Sequence, residues 1–303
     1  MAVTETNKLV WLVNTIRSAG KISYQRINEK WQKDRISEGQ ELPRRTFHKW
    51  KHDLEDRFKI YIENENCGDY RYYIDEHLSK IGDDSLMRWI FDTQTVSNQL
   101  IENQKISDRI ILEDIPSGQK YFQPIADAMK DNRLIHITYY NYWREDEREH
   151  YLMPLCLKLF RQRWYLVAKE QAKGFIATFC LDRIRDFRFS NDTFEYPKDF
   201  SPKKFFEQAF GIIGGEGEAP TIKLRVSYEQ SNYLRALPLH NTQKEIERGE
   251  HYSIFTLKVF PTYDFEQEIL WHAAEMEVLE PQSLRESIAE KVADMYRMYS
   301  HES

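Results

Sequence analysis

The spacing of apolar residues changes along this chain, and the change sets what it can fold into. Up to about residue 58 they recur at helical intervals, and between 134 and 189 they alternate at strand intervals. Leu9, Leu12, Val13 and Ile16 stand at i, i+3, i+4 and i+7, which predicts a helix from about Thr6 to Arg17, closed by Gly20. Ser23 is a good N-cap for a second helix with Tyr24, Ile27 and Trp31 on one stripe. After the polar stretch Asp34 to Glu41, Pro43 suits the first turn of a third helix that buries Phe47, Trp50, Leu54 and Phe58. Ile60 and Ile62, then Tyr70, Tyr72 and Ile74, alternate on either side of a polar turn and read as a β-hairpin.

Three helices sharing a small core and followed by a hairpin have the order of a winged helix-turn-helix. Residues 84 to 104 form a longer helical pattern, and Ile115-Pro116-Ser117-Gly118 marks the turn that ends it. Leu86, Ile90, Val96 and Leu100 on this helix are candidates for a dimer interface or for packing within the monomer. A short helix from Tyr121 to about Asn132 leads into strands at Leu134–Tyr140, Met153–Leu159, Arg163–Ala168, Phe175–Leu181 and Ile184–Phe189, which read as a small β-barrel. Gly211, Gly214, Gly215 and Gly217, with Pro220 after them, mark a linker. Beyond it, alternation at Ile222, Leu224, Val226 and at Phe255, Leu257, Val259, with helical patterns between and after, predicts a small α/β sandwich. The expected class is a multidomain α+β chain with units at 1–80, 81–120 (helical linker), 121–200, 201–219 (glycine-rich linker) and 220–303.

A mean hydropathy of -0.70 and apolar runs far shorter than the roughly 18 residues of a membrane helix point to a globular chain without a spanning segment. The start, Met1-Ala2-Val3-Thr4-Glu5, has no signal core, and Cys67, Cys156 and Cys180 are odd in number and scattered, so a reduced, cytoplasmic protein is expected. The net charge of -6 is unevenly spread: residues 8 to 62 hold 13 Lys and Arg against 7 Asp and Glu, and the rest of the chain is acidic. Such a distribution lets one unit meet a polyanion, unless the excess is only a solvated face.

On the third helix the apolar stripe turns Arg44, Arg45, Thr46, His48, Lys49 and His52 outward, where a groove-entering helix carries its base and phosphate contacts. Lys59 and Arg71, at the ends of the hairpin, are candidate backbone contacts from the wing, and plain surface positions otherwise. Within Arg161-Gln162-Arg163-Trp164-Tyr165-Leu166-Val167-Ala168, a strand places Trp164, Leu166 and Ala168 on one face and Arg163, Tyr165 and Val167 on the other. The second face pairs a guanidinium with a ring, the chemistry of a nucleic-acid platform, although an ordinary strand surface looks the same.

Met153-Pro154-Leu155-Cys156-Leu157 running into Arg163 to Ala168, then Leu181-Asp182-Arg183-Ile184, then Val278-Leu279-Glu280-Pro281 with Leu284-Arg285, together resemble the WYL-domain transcriptional regulators of bacteria. Pro238-Leu239-His240 with Gln243 is similar to that family's C-terminal extension. The resemblance covers nearly the whole chain. It implies an N-terminal winged helix-turn-helix, a central Sm-like or SH3-like barrel that senses a ligand, an α/β extension involved in dimerisation, and a homodimer on a double-stranded DNA operator. It also implies a single-stranded nucleic acid or nucleotide effector, contacted by Tyr139, Tyr165 and Arg183 with support from Arg163 and Arg161. The sequence departs from the pattern at Ala177, where the family has an arginine, so the cationic burden would move to Lys158, Arg161 or Arg185.

No catalysis, metal or cofactor is expected. His48 and His52 stand at i and i+4 without the intervening glutamate of a zinc-protease helix, and Gly214-Gly215-Glu216-Gly217 lacks the lysine of a phosphate loop. The run Glu145 to Glu149 reads as solvated charge in a hairpin loop. The leading expectation is thus a sequence-specific DNA-binding regulator. An adaptor that binds single-stranded DNA or RNA through the barrel is the alternative, and a protein-interaction scaffold is the third.

Overall fold

In the computed structural model of this chain, residues 5–65, 70–75, 85–102, 109–111, 118–214 and 217–300 are described. They belong to two compact units, Met1–Glu113 and Asp114–Ser303.

The first unit runs α1 (Glu5–Ala19), β1 (Ile22–Ser23), α2 (Tyr24–Lys33), α3 (Arg44–Phe58), β2 (Ile62–Asn64), β3 (Arg71–Ile74) and α4 (Ser85–Glu102). The three helices and the hairpin read from periodicity are present. Two residues of β1 add a third strand that the pattern does not announce, pairing Ile22 with Tyr72 and Ser23 with Arg71 in the order β1-β3-β2. Ser23 also caps α2, its hydroxyl accepting from the Arg26 N–H at 3.4 Å. Trp11, Trp31 and Trp50, one from each of the first three helices, meet edge to face at 4.8 and 5.1 Å between ring centroids, so a single aromatic stack ties the bundle together. Helix α4 is more than a connector: Phe91 is fully buried, 4.8 Å from the Phe58 ring, and Arg17 pairs with Asp92 at 3.2 Å. Of the interface candidates on it, Ile90 and Val96 are exposed, Leu100 is half-buried, and the Leu86 side chain lies outside the described residues.

The second unit opens with α5 (Gln119–Lys130), followed by β4 (Arg133–Asn141), β5 (Asp146–Phe160), β6 (Arg163–Glu170), β7 (Ile176–Cys180) and β8 (Ile184–Thr193). These strands form one antiparallel sheet in the order β7-β6-β5-β4-β8. The two edge strands are joined by a 3-10 turn of three residues, Leu181–Arg183. Four Cα steps reach about 15 Å, less than the roughly 19 Å width of a flat five-stranded sheet, so the sheet is rolled. No ladder joins β7 to β8 among the described residues, and closure of the expected barrel is not shown.

The charged run from Asp146 to Glu149 is the first part of β5 and not a loop, since it pairs residue by residue with Asn141 back to Thr138. Ladder hydrogen bonds and neighbouring ion pairs, Arg148 with Asp146 at 2.7 Å and Arg185 with Glu147 at 3.7 Å, override the loop-like polarity.

After α6 (Pro202–Phe206), a second antiparallel sheet contains β9 (Thr221–Ser227), β10 (Lys244–Arg248), β11 (Tyr252–Lys258) and β12 (Met276–Glu280) in the order β10-β11-β9-β12. It is packed by α7 (Tyr228–Ala236), α8 (Tyr263–Trp271) and α9 (Gln282–Ser300), with Ile222, Leu224, Leu257 and Phe265 at the centre of its core. The segment read as a glycine linker is built into this unit. The Gly211 carbonyl accepts from Lys158 Nζ of β5, the Ile212 N–H donates to Asp264 of α8 at 2.9 Å, and the Ile212 carbonyl accepts from the Thr178 hydroxyl of β7 at 3.2 Å. A Cβ on Gly211 would stand 2.4 Å from an Asp264 oxygen, so a larger residue there would displace the carboxylate that holds the Ile212 N–H. Gly215 and Glu216 lie outside the described residues.

Among the described residues, no helix is long and apolar enough to cross a membrane, and no group of three or more His, Cys, Asp or Glu side chains could hold a metal ion.

Candidate nucleic-acid interface and ligand site

Helix α3 begins after Pro43, whose φ of -62° and ψ of 142° deliver the chain in extended form, and whose carbonyl accepts from the Phe47 N–H at 3.0 Å. Its end is a Schellman-type cap: Lys59 is left-handed at φ 53°, and the Ile60 N–H reaches back to the Leu54 carbonyl at 3.1 Å. Phe47, Trp50, Leu54 and Phe58 are buried as expected, and Arg44, Arg45, His48, Lys49 and His52 are exposed, with Thr46 half-buried. The exposed side chains are not equivalent. The Arg44 guanidinium lies 4.7 Å over the Tyr24 ring, Lys49 pairs with Glu5 at 2.9 Å, and His52 pairs with Asp56 at 3.2 Å. The Lys49 ammonium in turn holds the Glu5 carboxyl below its ordinary range. Arg45 has no partner among the described residues, which leaves it the cation most available to a ligand. Lys59 spends its ammonium on the Asp56 carbonyl at 3.1 Å and so closes the helix, whereas Arg71 is exposed at the start of β3. A cleft of about 560 Å3 between the starts of α2 and α3 and the hairpin is lined by Arg26, Glu29, Arg44 and Tyr70 among others.

In the second unit the chemistry collects around the Leu181–Arg183 turn. The Cys180 N–H donates to the Tyr139 hydroxyl at 3.2 Å, the Cys180 thiol donates to Asp182 at 2.6 Å, and the other Asp182 oxygen is ion-paired with Arg163. The Arg183 guanidinium stacks 4.4 Å from the centre of the Tyr142 ring. Burial opposes ionisation of Asp182, but the Cys180 thiol and Arg163 outweigh it and hold the carboxyl below the usual range. Burial pushes the Tyr165 hydroxyl up to about 12 and the Cys180 thiol to about 11, and raises Tyr139 as well, so at neutral pH all three are uncharged donors. The Nε atoms of Arg163 and Arg183 are buried without a hydrogen-bond partner among the described residues. With two guanidiniums and one carboxylate, the cluster keeps one net positive charge and two unspent donors, an environment that favours an anionic ligand such as a phosphate. Gly118 holds the turn in place. At φ 67° it packs so closely that a Cβ would lie 2.4 Å from the Asp182 nitrogen.

Residues 120–189 match the WYL domain, and residues 218–296 match the WCX domain. The chain contains a WYL domain followed by a WCX domain. Comparison with curated proteins finds no match. Among solved structures, proteasome accessory factor B/C (PafBC) of Arthrobacter aurescens is similar at 17% identity and a TM-score of 0.39, over 99% of this chain and 48% of that one. This chain thus spans about half the length of that protein. A CRISPR Cas-related protein is similar at 13% identity and a TM-score of 0.39, over 99% of this chain and 88% of that one.

Within the WYL domain, Tyr139, Arg163, Tyr165 and Arg183 lie around one turn. Arg161 does not join them: it sits in the β5–β6 turn at φ 47° and is ion-paired with Glu268 of α8 in the WCX domain. Lys158 is likewise engaged with the 206–211 segment, so of the three cations that could replace the arginine missing at Ala177, only Arg185 lies near the site, 5.2 Å over the Tyr140 ring. Tyr165 is not an open stacking ring. It is 9% exposed, because both faces of β6 are covered, and its strand alternation gave no sign of the second layer. Sequence reasoning missed Asp182 and Cys180, whose roles arise from the turn bringing β7 and β8 together, and it missed Tyr142 and Trp143. The density of rings in Tyr139-Tyr140-Asn141-Tyr142-Trp143 was the available signal.

Proposed function

We propose that this WYL-domain protein is a homodimeric, sequence-specific DNA-binding transcriptional regulator whose N-terminal unit is a winged helix-turn-helix and whose WYL domain senses a nucleic-acid or nucleotide ligand. The observation that carries the DNA-binding half is α3, which buries one apolar stripe and presents Arg44, Arg45, His48 and Lys49 on the opposite face. The order α1-β1-α2-α3-β2-β3 supports the winged-helix assignment, with a ten-residue connection between α2 and α3, longer than the usual three or four. The sensing half is supported by the cationic cluster at Arg163, Asp182 and Arg183, which offers unspent donors to a phosphate. Ligand occupancy at the turn would bias the two DNA-binding units through the dimer, and two-fold symmetry would match an imperfect palindrome.

The test is a fluorescence-anisotropy titration of labelled duplex from upstream of the coding sequence against unlabelled random duplex. Binding that resists the competitor at about 0.15 M salt, and that shifts when a single-stranded oligonucleotide or nucleotide is added, supports the reading. Duplex binding that random competitor erases, with tight single-strand binding, would favour the adaptor instead. The burial of Tyr165 weighs against that alternative in its simplest form, since the ring cannot stack on a base without opening the sheet.

A further inference from the structure

The β4–β5 hairpin carries side chains that the fold does not need. Trp143 is 86% exposed and Tyr142 is 54% exposed at its tip, next to Arg144, whose guanidinium has no partner among the described residues. The tip is nonetheless ordered by local chemistry. The Asn141 side-chain oxygen accepts from the Trp143 N–H at 2.9 Å and from the Arg144 N–H at 3.2 Å, and Glu145 turns the chain at φ 52°. The indole is thus held out on a built turn, with no ring or cation packed on it among the described residues.

Its surroundings say what it fits. Tyr142 meets Tyr140 edge to face at 5.5 Å, Arg183 covers the Tyr142 ring at 4.4 Å, and Arg185 covers the Tyr140 ring at 5.2 Å. Two rings flanked by two guanidiniums, in the order Arg183, Tyr142, Tyr140, Arg185, therefore lie beside the turn that carries Trp143. The nearby acids are engaged, Asp146 with Arg148 at 2.7 Å and Glu147 with Arg185 at 3.7 Å, while Arg144 and Arg183 have no carboxylate partner among the described residues. A single strand suits this combination, because its bases expose π faces for rings and its phosphodiesters attract cations. A base pair in duplex hides those faces.

We infer that the hairpin tip is a base-stacking subsite, in which Trp143 takes one base of a single-stranded oligonucleotide whose neighbouring phosphate lies at Arg183. The inference rests on the ligand-sensing reading above and makes it narrower: the ligand is longer than one nucleotide, because a mononucleotide at the Arg183 turn leaves the indole unused.

The experiment uses the full chain and fluorescein-labelled five-nucleotide oligothymidylate and oligouridylate at about 0.15 M salt, with unlabelled thymidine monophosphate as competitor. Trp143→Ala is expected to weaken whichever oligonucleotide binds by about tenfold or more, Trp143→Phe to restore most of it, and the inhibition constant of the monophosphate to stay unchanged. The two strands separate DNA from RNA as the source, and either supports the subsite. If Trp143→Ala leaves the five-mer affinity intact while Arg183→Ala lowers it, the hairpin inference is overturned and the sensing turn stands. If the wild type binds neither strand, both are overturned. A Trp143→Ala protein that changes only its sedimentation would mean that a second copy covers the indole, which also overturns the subsite.

Discussion

The ammonium of Lys158 lies 3.7 Å from the centroid of the Phe206 ring, at the contact between the WYL sheet and the segment leading into the WCX domain. Burial there pulls its pKa down to about 8, against the opposing pull of Cys156 and Asp264. An unfolded lysine holds its proton to about 10.4, so between these values the unfolded state binds more protons and stability rises with pH. Urea unfolding from pH 7 to 10 should therefore show the wild type gaining on Lys158→Met from about pH 8 upward. A constant gap between the two would mean that the lysine is not desolvated.

On α3, exposure and burial separate two kinds of loss. Arg45→Ala should keep the fold, cost duplex binding about 1–3 kcal/mol and reduce the log–log salt slope by up to about one. Phe47→Ala should cost about 3–5 kcal/mol of stability instead, because Phe47 is fully buried between Tyr24 and Tyr72. Anisotropy across a salt series and thermal melts of both variants check the division; an unchanged slope for Arg45→Ala would remove α3 from the DNA.

Gly118→Ala tests the proposed ligand turn from behind. The left-handed backbone alone penalises alanine by about 1–2 kcal/mol, and the new Cβ must also push the Leu181–Asp182 backbone away. We expect a fall in Tm of at least about 3 °C together with weaker ligand binding, read by calorimetry and by oligonucleotide titration. Loss of stability without loss of binding would place the ligand elsewhere.

Tyr165→Phe and Tyr165→Ala should diverge. The phenylalanine keeps the ring that fills the sheet and loses only the hydroxyl, a cost of about 0.5–1.5 kcal/mol, whereas alanine empties a core position at about 3–5 kcal/mol. Any binding defect of the alanine variant is interpretable only beside the phenylalanine variant, measured on equally folded samples.

Both thiols of the WYL sheet should be slow to alkylate. Burial raises Cys156 and Cys180 to about 11, so at pH 8 iodoacetamide should modify each on the order of 100-fold more slowly than an unperturbed thiol. Peptide mapping after timed quenching reads this, with urea-unfolded protein as the fast control.

What was legible in the sequence was whatever local periodicity controls. The stripes Leu9-Leu12-Val13-Ile16 and Phe47-Trp50-Leu54-Phe58 gave the helices, and the alternation through Ile222-Leu224-Val226 gave a strand. Strands β10 and β12 were missed for physical reasons. Lys244–Arg248 is an edge strand with every residue exposed, so it has no apolar alternation to read, and its charges are the kind that keep an edge from pairing with another chain. Met276–Glu280 is too short to separate from a turn. The candidate ligand residues followed from the resemblance, but the partition among them did not: Arg163 meets Asp182 while Arg161 leaves for Glu268 through pairings remote in sequence.

The packed segment at Gly211 and Ile212 also governs how the molecule can be divided. A cut before Gly211, where composition invites one, would strip the Lys158 ammonium and the Thr178 hydroxyl of their carbonyls, and a cut after Ile212 would take the Ile212 N–H away from Asp264. The WYL domain and its C-terminal neighbour therefore form one unit of expression and of inheritance: fragments ending near residue 200 should come out of cells aggregated or clipped, while a piece from 118 to 300 should survive a protease intact.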